Sequence, residues 1–295
     1  MRRLAFALIA VGLLAVPARA SEDAGATPEA RSAAAPTPAP PPDVDDLEVD
    51  PSEPDFTVVN TPTTLRLPGH RWAFRLTHRF SRPLGEGDFD DLLEDFFGLD
   101  TAAGVGLELR FAPTAGTQLG VYRTNGRTVE LFLGQNVVRS AKGPVGLTLF
   151  GFVEGLDNFT KEHSPGAGVV VSRRLRDRGA LYAFPAWVGN ARQDVGGGDD
   201  STFLLGLGAR LRVVSTAWLV AEFTPRLAGH RGANPEDRSR RSAHYLSFGI
   251  EKGVGGHSFQ VNFSNGFATT PTQLARGSGT GRDWFIGFNL SRKFY

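Results

Sequence analysis

The chain has 295 residues, with 32 Lys and Arg against 31 Asp and Glu and no Cys. The missing Cys excludes a disulfide framework, a lipid-modified N-terminal Cys, thiolate metal sites and Cys nucleophiles. Beyond the N-terminus no segment approaches 18 uninterrupted apolar residues, so no inner-membrane helix is available.

Residues 1–20 read as a secretory signal peptide. Arg2 and Arg3 give a positive start, Leu4 to Val16 is an apolar run too short to span a bilayer, and Ala18-Arg19-Ala20 offers a cleavage site. Residues 21–55 are Ala, Pro, Ser, Thr and acid, with ten acids against the single base Arg31. Such a stretch cannot offset its ordering entropy and is expected to be disordered, with the acidic run free to recruit a periplasmic protein. Asp43, Asp45 and Asp46 lack the Gly and terminal Glu of a calcium loop. The remainder carries 28 bases against 21 acids, 24 of the bases being Arg. In an exported protein this balance reads as a solvated surface rather than as a nucleic-acid site.

From Phe56 onward, short runs of period two alternate with Gly, Pro, Asn and Asp, which predicts strands. "WAFRLTHRF" places Trp72, Phe74, Leu76 and Phe80 opposite Ala73, Arg75, Thr77 and Arg79. "VGLELRF", "STFLLGLGARLRVV" and "HSFQVNFSN" repeat the pattern. About 12 such strands are expected, an even number as single-chain bacterial membrane barrels require. The connections alternate as well. "APTAG", "RSAKGP", "RLRDRG", "VSTA" and "EKGVGG" are short, whereas the intervening ones are long except "TNGR", read as an Asn125-Gly126 two-residue hairpin turn. A soluble sandwich has no reason to alternate in this way, so the fold class is an all-β, transmembrane, up-and-down antiparallel barrel over residues 56–295.

In the first long connection Phe89, Leu92, Leu93, Phe96 and Phe97 fall at helical spacing. "DFDDLLEDFFGLD" therefore predicts one short amphipathic helix, capped by Asp88 and Gly98, as a lid over the lumen or a helix on its rim. At the other end, "RDWFIGFNLSRKFY" predicts a last strand with Trp284, Ile286, Phe288 and Leu290 toward lipid and Phe285, Gly287, Asn289 and Ser291 inward. The terminal aromatic after this strand resembles the signal read by the outer-membrane barrel assembly machinery, although here it is Tyr295 after Phe294.

"LPGHRWAFRLTHRF", "LEDFFGLDTAA" and "FQVNFSN" together resemble a bacterial β-barrel family, the domain of unknown function 5777, over about residues 65 to 295. The resemblance implies the barrel and an outer-membrane location, and carries over no reaction and no functional residue.

On this register Arg75, Arg79, Glu108, Arg110, Arg210, Arg212 and Glu222 line the lumen. Either an Arg-weighted lumen favours small anions, or Arg and Glu neutralise one another and fill a narrow barrel as a polar core. "FSNG" at 263–266 with "GRDW" at 281–284 looks like part of the site of outer-membrane phospholipases, where a His two residues before the Ser acts as base. Here that position is Asn262, so Ser264 lacks its activator. His257 and Ser258 are adjacent on a strand and point to opposite faces.

The six His (70, 78, 163, 230, 244, 257) show no helical pair, so no metal site is expected. "DVGGGDD" lacks the Lys and following helix of a phosphate loop, and no cofactor is implied. The favoured expectation is passive passage or binding of a small polar solute, with small anions among the candidates. The alternatives are a non-conducting envelope scaffold with a periplasmic partner and, more remotely, a lipid-modifying enzyme.

Overall fold

The computed structural model describes residues 53–87, 89–94, 103–139, 143–191, 201–229, 243–277 and 280–294. The signal peptide, the greater part of the acidic segment, Asp88, Gly98, "DVGGGDD" and Tyr295 lie outside the described residues.

The strands run in chain order: β1 (Arg71–Phe80), β2 (Ala103–Thr114), β3 (Thr117–Thr124), β4 (Val129–Val138), β5 (Val145–Leu156), β6 (Lys161–Arg174), β7 (Gly179–Val188), β8 (Thr202–Val214), β9 (Ala217–Thr224), β10 (Arg226–Gly229), β11 (Tyr245–Val254), β12 (His257–Ser264) and β13 (Phe285–Phe294). Each pairs antiparallel with its neighbours, β1 pairs with β13, and β8 pairs with β9, so the sheet closes on itself without a free edge. β9 and β10 form one wall strand, interrupted at Pro225, which has no N–H to give; its carbonyl still accepts from Leu205 N at 3.0 Å. The wall therefore has twelve strands, as the even count required.

Side-chain direction, which period alone leaves open, is settled by burial. Along β1, Ala73, Arg75, Thr77 and Arg79 are buried while Trp72 is 45% exposed. Leu107, Leu131, Leu149, Leu207, Leu219, Phe248 and Ile250 stand exposed on the outside of β2, β4, β5, β8, β9 and β11, which is the apolar surface a membrane barrel turns to lipid. β13 agrees with its expected register: Phe285, Gly287, Asn289 and Ser291 are buried, and Ile286, Phe288 and Leu290 face outward. Lys293 points in and Phe294 out.

The short and long connections segregate to opposite ends. Three ladder irregularities, at Phe111/Thr114, Asn136/Val138 and Arg212/Val214, sit beside short turns, where a bulge lets the wall bend. "TNGR" differs from the expected two-residue turn. Thr124 and Thr128 flank three loop residues, Arg127 N donates to Thr124 O, and the positive φ falls on Arg127 at 64°. The Asn125 side chain is used elsewhere: it accepts from Val105 N and donates to Ala103 O, tying the hairpin to β2.

α1 (Phe89–Glu94) forms where the helical spacing predicts it. A second helix, α2 (Pro271–Arg276), lies in the connection between β12 and β13. Thr270 caps its start by accepting from Gln273 N, Pro271 occupies the first turn, and Gly277 ends it at φ 88°.

Candidate functional site

The interior is occupied by the chain itself. Residues 53–68 enter the barrel at the short-turn end, rise to a tight turn at Val58–Thr61 and return to β1. Thr57 and Pro62 form an isolated bridge, Val58 N donates to Thr61 O and Thr63 N to Phe56 O, both at 2.9 Å, so the segment is a hairpin-like finger. Val58 and Val59 are fully buried against Ala180, Tyr182 and Val220 of the wall.

A finger in a lumen must satisfy its backbone polar groups without a strand partner on either side. The wall side chains do this in sequence. Lys293 donates to Pro54 O, Arg210 to Thr57 O at 2.7 Å, Gln260 to Val58 O at 2.6 Å and Asn289 to Val59 O at 3.1 Å. On the returning arm Asn136 donates to Thr64 O and Gln118 to Leu65 O. At the tip one oxygen of Glu222 accepts three successive backbone N–H groups, from Val59, Asn60 and Thr61, at 3.2, 2.8 and 2.9 Å. Arg79 donates to the Asn60 side-chain oxygen, and Asn60 Nδ2 donates to Ala268 O. Ala268 belongs to the connection between β12 and β13, so the finger meets a loop folding in from the long-loop end.

Wall glycines make the room. A Cβ on Gly208 would lie 2.8 Å from Val58 Cγ2, one on Gly206 would lie 2.9 Å from Thr61 Oγ1, and one on Gly146 would lie 2.6 Å from Thr64 Oγ1. Close packing of this kind leaves no slack for a side chain at these positions.

The residues read from sequence as lumen-lining divide by what they do. Glu108 bridges Arg75, at 2.7 Å, and Arg110, at 2.8 Å, while Arg75 also donates to Thr57 Oγ1. Arg210 pairs with Glu251 at 2.9 Å, both side chains being fully buried. Arg79 and Glu222 hold the finger tip. Arg212 departs from the expectation: it sits beside the short turn and donates to Ser215 O at 3.1 and 2.7 Å, outside the polar interior, because β8 ends there. Among the described residues the buried acids are Glu53, Asp55, Glu108, Glu130, Glu154, Glu222 and Glu251, against Arg75, Arg79, Arg110, Arg210, Arg226 and Lys293. The charges nearly cancel, so the interior is a polar core rather than an Arg-weighted channel.

The sequence reading missed three features. Glu53, Pro54 and Asp55, placed in the preceding disordered segment, are buried within the barrel. The polar inner face also gives way on β4–β7 to an aromatic cluster of Phe132, Phe150, Phe152 and Phe184, against which Leu274 and Ala275 of α2 pack. Finally, the β12–β13 connection folds inward. Thr270 Oγ1 donates to Glu154, and Arg276 pairs with the same carboxylate at 2.6 Å. The Thr-Pro start and Gly end of α2 are visible in "TTPTQLARG", and are the signal that could have found it.

A cavity of about 400 Å³ remains at the long-loop end, between the inner faces of β2 and β3, the β3–β4 hairpin and the inward loop. Its lining includes Tyr122, Thr124, Thr128, Phe267, Gln273 and Arg276. Ser264, considered as a nucleophile, donates to Gly266 O at 2.8 Å. Asn262 bonds to Gln260, and His257 lies against Arg292 at the short-turn end, one strand length from Ser264.

A family model described as "Membrane bound beta barrel domain (DUF5777)" matches residues 55–294. A comparison with curated proteins finds no match. Among solved structures the chain is similar to the NanC porin, at 9% identity over 76% of this chain and 99% of that one, with a TM-score of 0.48. It is also similar to the outer membrane protein Omp33 of Acinetobacter baumannii, at 7% identity over 76% and 98%, TM-score 0.42. A third likeness is to the outer membrane phospholipase A of Escherichia coli, at 12% identity over 78% and 94%, TM-score 0.35.

Proposed function

The chain belongs to the membrane-bound β-barrel family DUF5777, and from that premise we propose that it is an outer-membrane barrel closed to passive passage in its resting state. Its polar interior is a seat for the finger, and any solute is bound at an end of the barrel rather than passed through it. The observation that carries this is the continuous bonding of residues 54–65 to the wall, from Lys293 at the short-turn end to Glu222 and Arg79 near the other. Passage would require about ten buried hydrogen bonds to break together, each worth about 1 kcal/mol net. By the rule that long loops face outward, the finger enters from the periplasm. The preceding acidic segment would then emerge on the side where a periplasmic protein could hold it.

The test is single-channel recording in planar bilayers with protein shown by heat modifiability to be folded. The intact chain is expected to be silent, and a variant with residues 55–66 replaced by Gly and Ser is expected to give stepwise conductance. Steady conductance of equal size in both proteins would refute the closed resting state.

A further inference from the structure

We propose that the outer face of β11–β13 at the short-turn end is a docking patch for the phosphate of an anionic phospholipid, with Lys252 and Arg292 as its cations and His257 between them. The proposal goes beyond the closed resting state and does not depend on it.

The starting point is where the lipid-facing rows change character. On β11 the outward positions Leu246, Phe248 and Ile250 are apolar, and the next is Lys252. On β13 Ile286, Phe288 and Leu290 are followed by Arg292. Lys252 stands opposite Phe259 of β12 and Arg292 opposite His257, so the two cations flank one strand. Long basic side chains that continue an apolar row mark the depth at which hydrocarbon gives way to headgroups. Aromatic rings sit at the same depth: Trp72 and Phe294 are register partners, each 45% exposed, and the Arg292 guanidinium lies 5.2 Å over the Phe294 ring.

Both cations keep donors to spare. Lys252 Nζ donates to Thr216 Oγ1 at 2.8 Å, and Arg292 Nη1 to His257 Nε2 at 2.6 Å. Neither meets a carboxylate among the described residues, and most of their N–H groups are left for an oxyanion. The neighbouring acid, Glu251, points inward and is taken by Arg210 and Gln260. Among the described residues the exposed bases at this end are Arg71, Arg173, Arg176, Arg178, Lys252 and Arg292, against Asp177 as the exposed acid. The long-loop end mixes the signs, with Asp157 between Arg127 and Lys161, and Asp90, Asp91 and Glu94 on α1.

An end so biased draws an anionic leaflet toward it. The acidic segment of this chain is the competing anion, but it leaves from within the barrel at the buried Pro54, whereas Lys252 and Arg292 stand on the lipid-facing side. The patch is therefore assigned to lipid.

The test uses the full-length protein in detergent, shown by heat modifiability to be folded. Native mass spectrometry counts the lipid retained on titration with phosphatidylglycerol or with phosphatidylcholine of the same acyl chains, one net negative and one net neutral. Phosphatidylglycerol is expected to bind at least about tenfold tighter at low salt, two bases acting on one headgroup. Lys252→Gln/Arg292→Gln is expected to bring the two lipids within about threefold, while Arg176→Gln/Arg178→Gln on the β6–β7 turn keeps the preference. Equal binding of the two lipids by the unmodified protein, or a preference undiminished in Lys252→Gln/Arg292→Gln, would overturn the proposal. So would an equal loss in Arg176→Gln/Arg178→Gln, which would spread the attraction over the whole rim. A preference that appears only when residues 21–52 are deleted would give the patch to the acidic segment and overturn the assignment to lipid. The comparison of the two lipids on the unmodified protein stands even if a variant does not fold.

Discussion

Glu222 is the point at which the finger is most open to attack by a single substitution. One of its oxygens takes the N–H groups of Val59, Asn60 and Thr61, three donors at the turn for which no other acceptor stands among the described residues. In Glu222→Ala these donors stay buried and lose their acceptor, at about 1–3 kcal/mol each. Because the three share one oxygen the losses do not add, so the low end is the safer figure, about 3 kcal/mol in all. At about 1.4 kcal/mol per tenfold, the population with the finger tip withdrawn should rise about 10²-fold. Glu222→Gln keeps an acceptor oxygen but loses the charge and one lone-pair geometry, so a rise of about tenfold is expected.

The absence of Cys makes the assay clean, since Val59→Cys would introduce the sole thiol. Val59 is fully buried at the tip, so a maleimide can reach position 59 only when the finger leaves its seat. The labelling rate at position 59 should therefore rise about 10²-fold in the Glu222→Ala background. Ala186→Cys, in the aromatic cluster on β7, serves as the control and should keep its rate. Labelling at 59 that changes less than threefold would refute the latch, and equal acceleration at 186 would show that the barrel wall loosens rather than the finger alone.

Two further outcomes follow from the same contacts. Arg210→Met strands Glu251 in the interior without its 2.9 Å partner and should lower unfolding stability in lipid vesicles by about 3–5 kcal/mol, with Arg210→Met/Glu251→Met recovering most of it; a loss under about 1 kcal/mol would mean that the pair is not desolvated. In the β5–β6 connection Asp157 is held below its ordinary pKa by the Lys161 hydrogen bond at 3.1 Å and then by the Arg127 charge at 2.6 Å. With the folded pKa depressed, this tie is fully present above the unfolded carboxyl pKa and is lost as pH falls through the folded value. An NMR titration should place Asp157 below a free Asp, and Lys161→Ala should raise it; titration at or above the free value would show that the tie is not made.

The wall was legible in the sequence because a membrane barrel imposes two local periodicities at once. Alternation along each strand separates Leu107 and Leu109 from Glu108 and Arg110, and alternation of loop length along the chain separates "VSTA" from "RLAGHRGANPEDRSRR". Both can be read within a few residues. The finger obeys neither. "EPDFTVVNTPTTLRLPG" has no period-two face, because a segment surrounded by wall on every side has no solvent or lipid face to encode. Its partners are also remote: Glu222 lies 162 residues from Asn60, and Asn289 lies 230 from Val59. The trace it does leave is on the wall, where Gly206 and Gly208 precede Arg210 on the inner face of β8. In a water-filled channel, small residues beside a charge need no reason; against a finger they supply the space for Val58 and Thr61 while Arg210 takes Thr57 O. The same logic explains the near-cancelling charges. An open lumen hydrates its Arg and Glu, and their balance is free to drift, whereas an occupied one strands every unpaired ion in low dielectric. Glu108 between two arginines, Arg210 on Glu251 and Glu222 on three N–H groups each meet that demand.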